Sequence, residues 1–211
     1  MNDGGPNPVI ALAHVGFVYA LLPLLMAAVI AVWWHRVCYH LRAVEAGRLY
    51  RSGELGRVGL WWVWRRYGIR TIVSLITEGE CHRGATHQRE RQFCQSKGIE
   101  LVHLPLLQGT IPEPQQVRRF IEVCQDAERR PVLVHCKQGV ARTNTRVAVN
   151  LKERFGRPNE QILRELPLFG HVIDSPRYDK MRAFVLSYKA GTEGSGIPRD
   201  AAGDQTAKQP A

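Results

Sequence analysis

Cysteine is scarce in this chain and widely spaced. Five occur among 211 residues: Cys38, Cys81, Cys94, Cys124 and Cys136. The count is odd, no two lie close together, and no Cys/His spacing suits zinc. These absences exclude a disulfide framework and a zinc module and make a reducing compartment the simplest setting. Acidic residues are also short: 19 Asp and Glu face 29 Lys and Arg, for a formal net charge of +10. A basic balance suits an anionic substrate or an anionic membrane surface. No recognition motif or basic–aromatic pattern points to nucleic acid. Internal repeats are absent. Formal charge is missing altogether from Val9 to Trp34, a run of 26 residues, with His14 taken as neutral.

At ~1.5 Å per residue that run makes about 39 Å of helix, against a hydrocarbon core of ~30 Å. It reads as a single transmembrane helix, residues 9–34, behind a short tail, residues 1–8. Trp33 and Trp34 fall where an interfacial belt lies. No basic stretch precedes the run and no small-residue cleavage site follows it, which argues against a cleaved signal. Arg36, Arg42 and Arg48 come next, so the positive-inside tendency places the remainder in the cytoplasm. Residues 35–47 read as a basic juxtamembrane neck and 48–190 as one domain of sufficient size for a full core. Residues 191–211 turn to Gly, Ala, Pro, Lys and Asp without periodicity and read as a disordered tail.

Within the domain, Leu60 to Tyr67 reads as a helix ending at Gly68. Its three tryptophans, Trp61, Trp62 and Trp64, cannot all face one core. Val117, Phe120, Ile121 and Cys124 recur at helical spacing. A short helix is expected around Asn159 to Leu166. Ser175-Pro176 supplies a cap and first-turn proline for a last helix to about Lys189.

The chemistry lies in His135-Cys136-Lys137-Gln138-Gly139-Val140-Ala141-Arg142-Thr143. The apolar run Pro131 to Val134 before it reads as a buried strand. Arg146 to Phe155 after it reads as a helix. Strand, tight loop and helix N-terminus form a cradle for an anion, because loop amides point inward and the helix adds its positive end. The same field favours a thiolate: cysteine titrates near 8.5 when free and as low as ~3.5–7.5 beside a helix N-terminus and a cation. Cys136 is thus the expected nucleophile, with residues 137–142 around the phosphate. Arg142 carries a planar fork that can grip two phosphate oxygens. Gly139 is expected where backbone must approach ligand closely. Thr143 is placed to hydrogen-bond the sulfur, and His135 to orient the loop.

These residues resemble the cysteine-dependent protein tyrosine phosphatase superfamily, and in particular its small bacterial dual-specificity-like members. The resemblance runs from about Leu49 to Tyr188. Leu49 to Gly53, Tyr67 to Leu75 and Gly98 to Leu106 are similar to the family's strands in that order. It implies an α/β fold with a mixed, mostly parallel sheet flanked by helices. It also implies a phosphocysteine intermediate and neither metal nor cofactor. Phosphorylated proteins, phosphoinositides or inositol phosphates are the implied substrates. The chain departs from the pattern in three places. Many members carry a general-acid Asp after the strand that ends here at Leu106, yet no Asp occurs between Leu101 and Gln125 and Gln108 stands nearest. Ala141 precedes the signature arginine where some relatives have Asp. Asn144 follows Thr143 where glycine is usual.

Glu113, on the Pro112–Pro114 loop, is the best substitute acid; it reads equally as charge complementing the next helix. His171 and Asp174 are third choices. Arg83, in the polar stretch Glu78 to Gly84, is a candidate specificity residue. Cys81 and Cys94 are candidate resolving thiols for Cys136. A pseudophosphatase that binds phosphorylated partners without turnover is the alternative. A purely structural membrane scaffold is the remote one.

Overall fold

A computed structural model describes residues 8–82 and 85–191 of the chain. Five short strands build one sheet: β1 (Arg42–Glu45), β2 (Leu49–Ser52), β3 (Thr71–Ser74), β4 (Glu100–His103) and β5 (Val132–His135), in the order β1-β2-β5-β3-β4. β1 runs antiparallel to β2; every other pair is parallel. The expected mixed, mostly parallel sheet is therefore present. Parallel strands require crossover helices, which then cover both faces.

Alternation along the strands sends side chains to two cores. Leu49, Val73, Val132 and Val134 join a core with α5 (Pro114–Gln125), α6 (Ala141–Phe155) and α8 (Asp179–Ser187). Tyr50, Ile72 and Leu133 join the other, with α2 (Arg57–Tyr67) and α4 (Ala85–Lys97). Ser52 of β2 and Ser74 of β3 both pair in register with His135 of β5. The carboxyl ends of three strands are thus level, and the loop after β5 leaves between two neighbours at the edge where ligands bind in open α/β sheets.

Several boundaries differ from the sequence reading. α6 begins at Ala141, well ahead of the apolar period that starts at Arg146. Its first turns are polar, and Arg142, Thr143, Asn144 and Thr145 are all buried against the loop, so no apolar pattern marks them. Residues 35–47 include the strand β1. A short helix, α3 (Glu78–His82), forms where a polar loop was expected, while α7 (Asn159–Glu165) forms where a short helix was expected. α2 ends as expected at Gly68, in the left-handed region at φ +65°. Trp62 packs edge-on to Trp34, Trp64 lies against Phe93, and Trp61 stays exposed.

α1 spans Pro8–Val37. Among the described residues no helix is long and apolar enough to cross a membrane, so the span expected over 9–34 is not found there. Of the expected tails 1–8 and 191–211, residues 1–7 and 192–211 lie outside the described residues, as does Arg83.

Candidate active site

The loop from Cys136 to Val140 closes on its own sulfur: Gly139 N–H donates to Cys136 Sγ at 3.1 Å. Cys136 is 2% exposed. Gly139 has φ +69°, and a Cβ there would lie 2.5 Å from Gly53 N and from Ser52 O. The close approach that requires glycine is therefore to the end of β2, where the sequence reading expected ligand.

Arg142, on the first turn of α6, crosses the loop and stops at a carboxylate. Its Nη1 and Nη2 donate to Glu80 Oε2 and Oε1 at 2.7 and 3.0 Å. Nη1 also donates to the carbonyls of Leu75 and Leu106. Glu80, on α3, accepts from the N–H and hydroxyl of Thr77 besides. The Arg142 hydrogen bond, with help from Thr77, holds the Glu80 carboxyl down to about 2 against burial. Burial disfavours the Arg142 cation, but Glu80 and the Cys136 charge outweigh it and raise its pKa. Sequence reasoning took Glu78 to Gly84 as a loop rim and missed Glu80. The available signal was the capping pattern Thr77-x-x-Glu80.

A second carboxylate lies behind the loop. His135, at the end of β5, meets Glu90 of α4, with Nε2 and Oε1 2.9 Å apart; both residues are buried. The contact is an ion pair by distance and not an aligned hydrogen bond. His87 lies 3.7 Å from the other carboxylate oxygen. Burial works against the His135 imidazolium, yet Glu90 overrides it and raises its pKa. Burial likewise opposes the Glu90 anion, and His135 holds it down to about 2. Glu90 supports folding above the ordinary carboxyl range near 4.3 and loses that support as pH falls toward 2. His135 contributes below the ordinary histidine value near 6.5 and loses its contribution as pH rises through its raised value. Glu90→Gln is therefore expected to flatten the fall in Tm between pH 5 and 3, read by thermal unfolding. An unchanged acid limb removes the pair as its source.

The rim is polar and partly basic. Lys137 is exposed. Gln138 is held twice, its carbonyl by His40 Nδ1 at 2.6 Å and its side-chain Oε1 by Arg177 at 2.6 Å. His40 stacks on Phe169 with ring centroids 3.9 Å apart, and both residues have positive φ. Val140 is buried and Ala141 half-buried. Thr143 is fully buried, and its hydroxyl has no hydrogen-bond partner among the described residues. The sulfur takes the Gly139 amide and not Thr143.

The acid candidates lie apart from the sulfur's own contacts. Glu113 is the N-cap of α5, exposed, in a capping box with Gln116. Asp174 is exposed and paired with Arg182, and His171 stands edge-on to Tyr178. Burial pushes the Cys94 thiol up to about 12 and raises that of Cys81, so at neutral pH neither is the ready thiolate a resolving role requires.

The family model described as a DSP-PTPase phosphatase fused to NAD+ kinase matches residues 34–163. A probable chloroplastic NAD kinase 2 of Oryza sativa is 32% identical over 122 residues, covering 54% of this chain and 12% of that protein. Chloroplastic NAD kinase 2 of Arabidopsis thaliana is 29% identical over 150 residues, covering 71% and 14%. The chain thus spans only 12–14% of the length of these relatives. The catalytic core of the PP-IP phosphatase Siw14 from S. cerevisiae shares the fold at TM-score 0.59 and 19% identity, covering 71% of this chain and 85% of that one. P. aeruginosa TpbA, solved with phosphotyrosine, does so at TM-score 0.59 and 21% identity, covering 75% and 90%. On the match over 34–163, the chain belongs to the family of dual-specificity, tyrosine-phosphatase-type phosphatase domains found fused to NAD+ kinase.

Proposed function

We propose that this domain hydrolyses phosphate monoesters through a phosphocysteine formed on Cys136. The observation that carries the reading is the Gly139 amide aimed at a buried sulfur, with the Arg142 guanidinium held across the same loop. In the proposed sequence, Cys136 attacks phosphorus and the ester oxygen leaves with a proton. The loop amides of residues 137–142 and Arg142 hold the equatorial oxygens. Water then attacks the phosphocysteine. Phosphorus passes back to water oxygen and the thiolate is restored. Thr143, whose hydroxyl has no partner among the described residues, is proposed to turn to the departing sulfur and stabilise it.

Glu113 is proposed as the acid, on release from its cap. Glu113→Gln is expected to slow alkyl phosphates with poor leaving groups about 10²-fold or more, the lower end of general-acid contributions. Activated aryl phosphates should change little. Equal effects on both in steady-state assays remove Glu113 from the role.

For substrate, the exposed Lys137 and the nearby Arg177 favour a polyanion, so inositol phosphates rank ahead of singly phosphorylated peptides. Turnover by the full chain, under reducing conditions, of an aryl phosphate, a phosphopeptide panel and an inositol phosphate panel tests this order. A higher kcat/KM on phosphopeptides reverses it. The second reading, a phosphate-binding pseudophosphatase, rests on the missing Asp after Leu106. It predicts phosphate-dependent stabilisation without turnover. A membrane location with the domain cytoplasmic is proposed on the 26 uncharged residues of the sequence alone. Release of the full chain from membranes by alkaline carbonate would refute it.

A further inference from the structure

Arg51, on β2, leads the fully buried side chains by volume and is 1% exposed. A guanidinium in such a place is costly unless an anion faces it. No carboxylate does so among the described residues. Nη1 donates to Asn144 Oδ1 and Nη2 to the Gly139 carbonyl, both neutral, and Nε has no partner there. The Phe169 ring lies 5.3 Å from its Cζ. The negative charge that acts on Arg51 is that of Cys136. Strand register explains the meeting. Arg51 pairs with Val134 across β2 and β5, and Cys136 lies two residues further on. Alternation therefore sends both side chains to the same face, toward α6.

We propose that Arg51 is the resident counter-ion of the Cys136 thiolate, a positioning residue that also fixes the phosphate loop through Gly139 and Asn144. The proposal rests on Cys136 being the nucleophile. It accounts for Asn144, where the resemblance leads one to expect glycine. The amide gives Arg51 an acceptor without giving it a competing anion, and Asn144 Nδ2 donates to Pro167 O at 3.1 Å. Burial pulls Arg51 down to about 10, with the Cys136 charge opposing and Arg42 adding to the fall, which leaves it a cation at neutral pH. The other charges around the sulfur are already engaged or lie at the rim. His135 has Glu90 on one side of the sheet, with His87 behind it. Arg142 has Glu80 on the cleft side. Glu54 and Lys137 stand together at the loop, and Arg42 lies beyond the Phe169 ring. Arg142 and His135 also feel the Cys136 charge but each is shared with a carboxylate, whereas Arg51 is a buried cation with no carboxylate facing it among the described residues.

The test is the pH dependence of Cys136 alkylation by iodoacetamide in the full chain, followed by mass spectrometry of the Cys136 peptide. In Arg51→Met the pH of half-maximal rate is expected to rise by about 1–2 units, the usual effect of removing a close opposite charge. Arg51→Lys should rise less. A merely structural Arg51 would lower the Tm of both variants and leave both alkylation profiles in place, and that result overturns the proposal. If Arg51→Met fails to fold, Arg51→Lys decides: an unchanged profile with a lowered Tm overturns the proposal. Alkylation needs no substrate, so absence of turnover in the parent chain would count against the proposed function and not against this pairing.

Discussion

Cys136→Ser is expected to lower turnover of an aryl phosphate by about 10⁴- to 10⁶-fold, the scale on which an enzyme loses rate with its nucleophile. On the proposed mechanism the exchange removes the nucleophilic sulfur and leaves the cradle. The Gly139 amide, the start of α6 and Arg142 remain where they are, so inorganic phosphate should still bind. On the proposed pairing the variant also removes the negative charge that offsets buried Arg51. Its apo form is therefore expected to be less stable than the parent. Phosphate, by replacing that charge, should raise its Tm more than it raises the parent's, since ligand that binds the folded state stabilises by mass action. Steady-state kinetics and thermal unfolding with and without phosphate check both halves. Turnover that survives the exchange would remove Cys136 as nucleophile.

What was legible in the sequence and what was not divides along one physical line. Strand β5 was legible because its apolar residues run together ahead of the loop, whereas β2, β3 and β4 were legible only through the resemblance and in its order. The loop was legible because Cys136, Gly139 and Arg142 are close in the chain, and their residue types and spacing already imply a cradle. The start of α6 was not, because a polar first turn buried against a loop carries no apolar period. Glu80 and Glu90 were not, because they reach Arg142 and His135 across 62 and 45 residues of chain, and a charged side chain in isolation reads as surface. Arg51 was not legible for the same reason, although β2 carries it into the interior. Asn144 was seen only as a departure from a pattern; its partner supplies the reason. Glu113 could be read as acid or as cap, and the capping box with Gln116 shows what it does in this conformation.

Arg142→Ala is expected to lower kcat/KM by about 10³- to 10⁵-fold, the range over which a single arginine acts on phosphoryl transfer. Lys137→Ala should cost under about fivefold, as befits an exposed charge worth at most about 1 kcal/mol. Geometry separates them. Arg142 is buried, planar and already oriented by Glu80 and two carbonyls, so it holds phosphate oxygens without having to be ordered first. Lys137 is a flexible cation at the rim. Part of the Arg142→Ala loss has a second source. Without its partner, the Glu80 carboxylate stands beside an incoming dianion, and like charges at that range disfavour binding. Arg142→Ala combined with Glu80→Gln should therefore recover some affinity relative to Arg142→Ala alone, although Glu80→Gln by itself loses rate by loosening the guanidinium. A double-mutant cycle on KM and kcat reads that coupling directly. Additive losses would mean that Glu80 and Arg142 act independently. Equal losses for Arg142→Ala and Lys137→Ala would mean that the fork is not the phosphate clamp.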